Sequence, residues 1–205
     1  MSGIAALVLA GGRGERLGGV RKAQLKLGGK RLVDRAVEHL ARHCTPVVIS
    51  TGALDPALLS LPAGAIPLPD LDLPLAGPLA GIVAMAEWME RQGNPVDLVV
   101  SLAVDTPFAP EDFVARLAAE IGGAPAAYAT SGESFYPTNA VWRTATLGAL
   151  LTRVRSGAPP RSLRAFLEEI QSVEVDWPGT HGDPFANVNT LADLLALELR
   201  GSGSA

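Results

Sequence analysis

The chain has 205 residues, 48% of them hydrophobic and 19% charged, and a formal net charge of −4. That is enough apolar content for a sizeable core, and the acidic balance excludes a general polyanion binder. Cys44 is the only cysteine, which excludes an intrachain disulfide and a cysteine-rich metal site.

The charge is unevenly placed. Residues 1–42 hold nine Lys/Arg against three acids, a balance of +6, and the remainder carries −10. A positive N-terminal lobe on an acidic protein suits a small anionic ligand better than DNA. The N-terminal apolar run is too short for a signal peptide or a membrane span, so the cytoplasm is the expected compartment. Residues 201–205, GSGSA, read as a flexible tail, which leaves 1–200 as one domain.

In chain order, IAALVLA (4–10) predicts a buried strand stopped by Gly11-Gly12. RLVDRAVEHLARH (31–43) places Leu32, Ala36 and Leu40 at helical spacing. PVVIS (46–50) predicts a second strand and AIPLP (65–69) a weaker third, broken by prolines. A helix is expected over 79–93, ending at Gly93, and the most strand-like run of all is VDLVVSLAV (96–104). PEDFVARLAAEIG (110–122) has Pro and acids in its first turn and Gly at its end, a helix signature. Strands are expected over 124–130 and 136–142, helices over 144–157 and 161–170, a strand over 172–177 and a final helix over 190–200. This alternation predicts a three-layer α/β/α domain with a mostly parallel, Rossmann-like sheet. In such sheets ligands bind at the carboxyl ends of strands, so the loop after 4–10 and the residues after 96–104 should share one rim.

The first of those loops is glycine-rich and basic: VLAGGRGERLGGVRKAQLKLGG, Val8 to Gly29. A dinucleotide fingerprint started at Gly12 finds Gly14 and then Leu17, and fails. A P-loop needs Ser or Thr after Gly-Lys, and Gly29-Lys30 is followed by Arg31. What remains is L-A-G-G-x-x-x-R-x-G-G-x-x-K, carried by Leu9, Ala10, Gly11, Gly12, Arg16, Gly18, Gly19 and Lys22.

This pattern resembles the signature of nucleotidyltransferases, and in this form that of the molybdenum cofactor guanylyltransferase family, whose fold is of the nucleotide-diphospho-sugar transferase type. The resemblance continues in order through DLDLPLAGPLAGI (70–82), VDTPF (104–108), YPTNAVWR (136–143), RSLRAFLEE (161–169) and DPFANVNTLADL (183–194). It covers about 4–195. The chain departs from the family pattern at Arg21, Val104 and Tyr136, where the family commonly has Asp, Cys and His. The strand end VISTG also lacks the expected asparagines.

The resemblance implies transfer of GMP from GTP to the phosphate of molybdopterin, with release of pyrophosphate. Small residues at Ala10, Gly11 and Gly12 let backbone N–H groups approach a triphosphate and a base edge, and the backbone from Leu9 to Gly12 is expected to hold the nucleotide. By the same resemblance Arg16 faces the outer phosphates and Lys22 the phosphate under attack, and Lys22 is expected to face solvent in the empty site. Asp70 matches the acid near the nucleotide, with Asp72 as its competitor. Asp105 matches the Mg²⁺ ligand, against an ordinary helix-capping role. Asn187 and Asn189 alternate, so on an extended segment their amides face one way, toward a pterin or its phosphate; turn and helix-capping chemistry is the plainer alternative. Arg161 is a weaker candidate contact for the pterin phosphate. His39, His43 and His181 lie in no motif, and His39 and His43 stand one helical turn apart on a helix with ordinary polar faces.

The implied partners are GTP, a phosphorylated pterin and molybdoenzymes or cofactor-handling proteins, with no nucleic acid or membrane. Two other readings stay open: a cytidylyltransferase or other NTP transferase with the same loop, and a non-catalytic nucleotide- or cofactor-binding adaptor.

Overall fold

The strand-like runs assemble into one sheet. The structure, a computed structural model, describes residues 3–11, 21–52, 60–179 and 182–202. Its elements are β1 (Ile4–Leu9), a 3-10 turn (Lys22–Gln24), β2 (Lys26–Leu27), β3 (Lys30–Arg31), α1 (Leu32–Ala41), β4 (Val47–Gly52), β5 (Ile66–Pro69) and α2 (Pro78–Arg91). There follow β6 (Leu98–Ala103), α3 (Phe113–Glu120), β7 (Ala126–Ser131), β8 (Ser134–Arg143), α4 (Thr144–Arg155), α5 (Leu163–Glu169), β9 (Val173–Asp176) and α6 (Leu191–Ser202).

Seven strands form a sheet in the order β5-β4-β1-β6-β8-β7-β9. β5, β4, β1 and β6 pair in parallel, β8 runs antiparallel to both β6 and β7, and β7 pairs β9 in parallel. The sheet is therefore mostly parallel, as the strand–helix alternation predicts.

β1 shows why the chain folds this way. It is apolar on both faces because helices cover both. Ala6 and Val8 pack in a core with Leu32, Val33, Ala36, Val37 and Leu40 of α1, with Phe113 and Leu117 of α3, and with Leu197 of α6. Ala5 and Leu7 point the other way, into a core with Ile82, Met85 and Met89 of α2, Leu147 and Leu151 of α4, and Phe166 of α5. Alternate side chains of one strand thus serve two cores. Cys44 is buried in the first core, and burial pushes its thiol up to about 12, so it stays unreactive.

Candidate active site

The carboxyl ends of β4, β1 and β6 lie side by side, and the chain is drawn unusually tight there. Past β1, the Ala10 N–H donates to the Ser50 carbonyl at 3.0 Å, and the Val104 N–H donates to the Leu9 carbonyl at 3.1 Å. A Cβ on Gly11 would sit 2.9 Å from the Gly52 Cα and 3.0 Å from its nitrogen. Gly52 itself has φ +67°, a left-handed conformation that a side chain resists. Two glycines are needed because two backbones touch.

This rim opens into a cavity of about 700 Å³, within the range of small-molecule sites. Leu9, Gly11, Ser50, Gly52, Ala103, Val104 and Asp105 line it from the strand ends, and Lys22, Asp70, Thr138 and Asn187 from the sides. Ala76, Gly77 and Pro78 also line it, so the N-terminus of the 14-residue α2 faces the space. Pro78 stands in the first turn, where its missing N–H costs nothing. That end carries the positive pole of the helix dipole.

Lys22 reaches the site from the 3-10 turn. Buried Ala23 anchors the turn, and Arg31 ties it to α1 by a two-pronged pair with Asp34, both bonds at 2.6 Å, and by a 3.1 Å bond to the Gln24 side chain. The Lys22 ammonium donates to Asp105 Oδ2 at 2.7 Å and to Asn189 Oδ1 at 2.6 Å. Residues separated by 83 and 167 positions in sequence thus converge on one nitrogen. The expectation of a solvent-facing lysine needs correcting. The Lys22 and Asp105 side chains are only 17% and 18% exposed, because each is the other's counter-ion.

Asp105 sits in the turn that follows β6. The Thr106 hydroxyl donates to the Ala103 carbonyl at 2.6 Å, and the Asp105 carbonyl accepts the Val188 N–H at 2.9 Å. That second bond docks the 183–189 segment. Asn187 and Asn189 are exposed on either side of buried Val188; Asn187 lines the cavity and Asn189 meets Lys22. The helix-capping role falls to Thr190. Its hydroxyl accepts the Asp193 N–H at 3.1 Å, while Asp193 accepts the N–H groups of Asn189 and Thr190. This reciprocal cap leaves the Asn189 side chain for Lys22.

Asp70 follows β5, and its N–H donates to the Gly52 carbonyl at 2.9 Å. Its Oδ1 is buried without a hydrogen-bond partner, and burial holds the carboxyl above its ordinary pKa. Asp72 is exposed and lies off the cavity, as does Arg161 ahead of α5. Gly12, Arg16 and His181 lie outside the described residues. His39 packs against Phe113 with ring centroids 6.3 Å apart, and burial lowers its pKa. Thr138 also stands on the cavity wall, outside every residue singled out from the sequence; its one sign there is the polar pair Thr138-Asn139 ahead of the apolar run 140–142.

A cation and a carboxylate facing each other across parallel strand ends, beside a nucleotide-sized cavity, suit chemistry on a phosphate chain. The fold agrees with that class. It is shared with molybdopterin-guanine dinucleotide biosynthesis protein A from Archaeoglobus fulgidus, at a TM-score of 0.73 and 23% identity over 97% of this chain and 99% of that one. It is also shared with 2-C-methyl-D-erythritol 4-phosphate cytidylyltransferase from Thermus thermophilus, at a TM-score of 0.65 and 19% identity over 98% and 100% of the two chains. These likenesses show that the chain has the fold that nucleotidyltransferases use.

Sequence comparison narrows this further. The family described as MobA-like NTP transferase domain matches residues 6–175. The molybdenum cofactor guanylyltransferase of Acidiphilium cryptum is 39% identical over 197 residues, which cover 96% of this chain and 95% of that protein. The chain belongs to the molybdenum cofactor guanylyltransferase family within the MobA-like NTP transferases.

Proposed function

We propose that this protein transfers GMP from GTP to the terminal phosphate of molybdopterin, with or without its metal. An oxygen of the pterin phosphate attacks the α-phosphorus of GTP. The bond from that phosphorus to the bridging oxygen breaks, and pyrophosphate leaves with the electron pair. The attacking phosphate is already ionised near neutral pH, so no general base is needed. The work is to bring two anions together, which is charge neutralisation and positioning.

The observation that carries this reading is the meeting of Lys22, Asp105 and Asn189 at one point on the cavity rim. Lys22 stabilises charge building on the α-phosphate, and Arg16 holds the leaving pyrophosphate. The backbone from Leu9 to Gly12 holds the nucleotide, by groups other than the Ala10 N–H, which the Ser50 carbonyl already takes. Asp70, on the cavity wall, accepts hydrogen bonds from guanosine, which is rich in donors. Asn187 and Asn189 face the pterin side without adding charge.

Asp105 is the residue that would hold Mg²⁺. The carboxylate already faces a cation, the Lys22 ammonium, and the amide oxygen of Asn189 is a second hard oxygen on that same nitrogen. Among the described residues no group of three or more His, Cys, Asp or Glu side chains could enclose a metal. This donor set fits an ion whose remaining ligands are phosphate oxygens and water. When bound, Mg²⁺ neutralises phosphate charge and orients the chain.

No helix among the described residues is long and apolar enough to cross a membrane. The cytoplasm is the compartment we assign, on the grounds of the small anionic substrates and a lone, buried thiol.

Calorimetric titration with GTP, CTP, ATP and UTP, with and without Mg²⁺, followed by pyrophosphate release in the presence of molybdopterin, tests the reading. GTP preference and pterin-dependent release are expected. CTP preference would move the protein to the cytidylyl relatives. GTP binding without release would make it an adaptor.

A further inference from the structure

We propose that Asn139 is a positioning residue for the transfer reaction: its side-chain oxygen stands in for a missing strand partner of Ala103 and thereby sets where Asp105 stands. The inference rests on the reading of Asp105 as the metal-holding carboxylate.

β6 and β8 pair from Leu98 opposite Arg143 to Ser101 opposite Ala140, and there the ladder stops. Against β7, the register of β8 shifts between Tyr128, opposite Ala140, and Ala129, opposite Tyr136. Pro137, Thr138 and Asn139 therefore bulge out of the pairing, and Pro137 has no N–H to offer. Continued pairing would have given Ala103 a backbone partner at this level. Instead the Ala103 N–H donates to Asn139 Oδ1 at 2.9 Å.

Asn139 is fully buried, yet its Nδ2 has no hydrogen-bond partner. A buried amide with idle donors is costly. What the residue contributes is its oxygen. The Ala103 carbonyl is in turn held by the Thr106 hydroxyl at 2.6 Å. Ala103 is thus clamped through both backbone groups, and Asp105 hangs two residues beyond it, 2.7 Å from Lys22. The same bulge turns Thr138 onto the cavity wall. The splay that opens the cavity and the amide that steadies its carboxylate are one feature.

Asn139→Leu removes the acceptor at similar size, and Asn139→Asp keeps an oxygen in the same place. In N139L, kcat should fall by about tenfold to a hundredfold, the scale of a small misplacement of a reacting group. KM for GTP should change by less than about twofold, because the nucleotide is held by other strand ends. Binding of Mn²⁺ to the GTP complex, measured directly, should weaken in parallel with kcat, and N139D should recover both. If N139L does not fold, Asn139→Ser, whose hydroxyl is too short to reach Ala103, makes the same contrast with N139D. Parent-like kcat and Mn²⁺ binding in N139L or N139S would overturn the proposal. So would a loss in N139D equal to that in N139L or N139S. Asp105→Asn run alongside separates the failures. Activity surviving in D105N overturns the reading of Asp105 and this inference with it. Activity lost in D105N but intact in N139L overturns this inference alone.

Discussion

At the scale of single residues, the site is a set of polar groups held in unequal states of satisfaction. Lys22 is satisfied twice, by Asp105 and by Asn189. Its pair with Asp105 is largely shielded from solvent. Lys22→Ala leaves that carboxylate without its counter-ion and should cost about 1–3 kcal/mol of stability. It should lower kcat by about a hundredfold to a thousandfold, the usual cost of losing one donor to developing charge. Melting curves and steady-state kinetics on the same preparation check both halves. Asp70 is the opposite case, a carboxylate raised in pKa by burial with one oxygen idle. Its burden is absent below the ordinary carboxylate pKa and grows as pH rises through the raised folded value. Asp70→Asn should thus melt higher than the parent at neutral pH, lose that advantage near pH 3, and bind GTP more weakly. An advantage that is the same at both pH values would mean that the buried charge is not its source.

At the scale of elements, what matters is how closely strand ends and helices approach. Gly11 and Gly52 bring β1 and β4 into backbone contact. A Cβ on Gly81 of α2 would meet Ser50 Oγ at 2.7 Å and Leu9 Cδ2 at 2.8 Å, so the helix also lies low on the same strands. Side chains can swing away from Gly81, but backbone cannot move away from Gly11. Gly11→Ala should cost about 1–3 kcal/mol of stability, as overpacking does. It should also abolish GTP binding, which calorimetry of the folded fraction would show. Long apolar elements were legible beforehand. The run 4–10 became β1 and 96–104 became β6, with ends moved by a residue or two. Short polar ones were not. The β2–β3 ribbon has two residues per strand and is turned by Gly28 and Gly29 at φ +57° and +79°. Nothing in its hydrophobic pattern marks it. The helix expected from 110 begins at Phe113, and the Asp112 carboxylate accepts the Trp177 indole N–H at 2.9 Å instead of capping it. A contact between residues 65 positions apart claims a carboxylate that the sequence places in the first turn of the helix.

At the scale of the whole molecule, the site depends on the return of the 183–189 segment to the first strand's rim. Phe185 is the anchor. It is fully buried, with ring centroids 5.1 Å from Tyr136, 5.3 Å from Trp177 and 5.8 Å from Phe113. Tyr136, which stands where the family commonly has His, donates its hydroxyl to Asp183 at the segment's start. Phe185→Ala should cost about 3–5 kcal/mol through the cavity it leaves. Activity should fall well below the transition temperature as well, because Asn187 and Asn189 lose their mooring. Kinetics at a temperature where circular dichroism reports a folded chain would separate the two effects.

The sequence by itself determined the α/β alternation, the mostly parallel sheet and the family, because apolar periodicity and glycine spacing are local and survive in one dimension. It also determined that the loop after β1 and the turn after β6 share a rim, since parallel connections put strand ends on one side. Only the tertiary structure decided that Lys22 is sheathed in an ion pair, that Asn189 joins it, that Asp70 keeps an idle oxygen, and that Asn139 closes the gap beside Ala103. Those facts are distances between residues far apart in the chain. They follow from how two cores pack against one sheet, which no local pattern encodes.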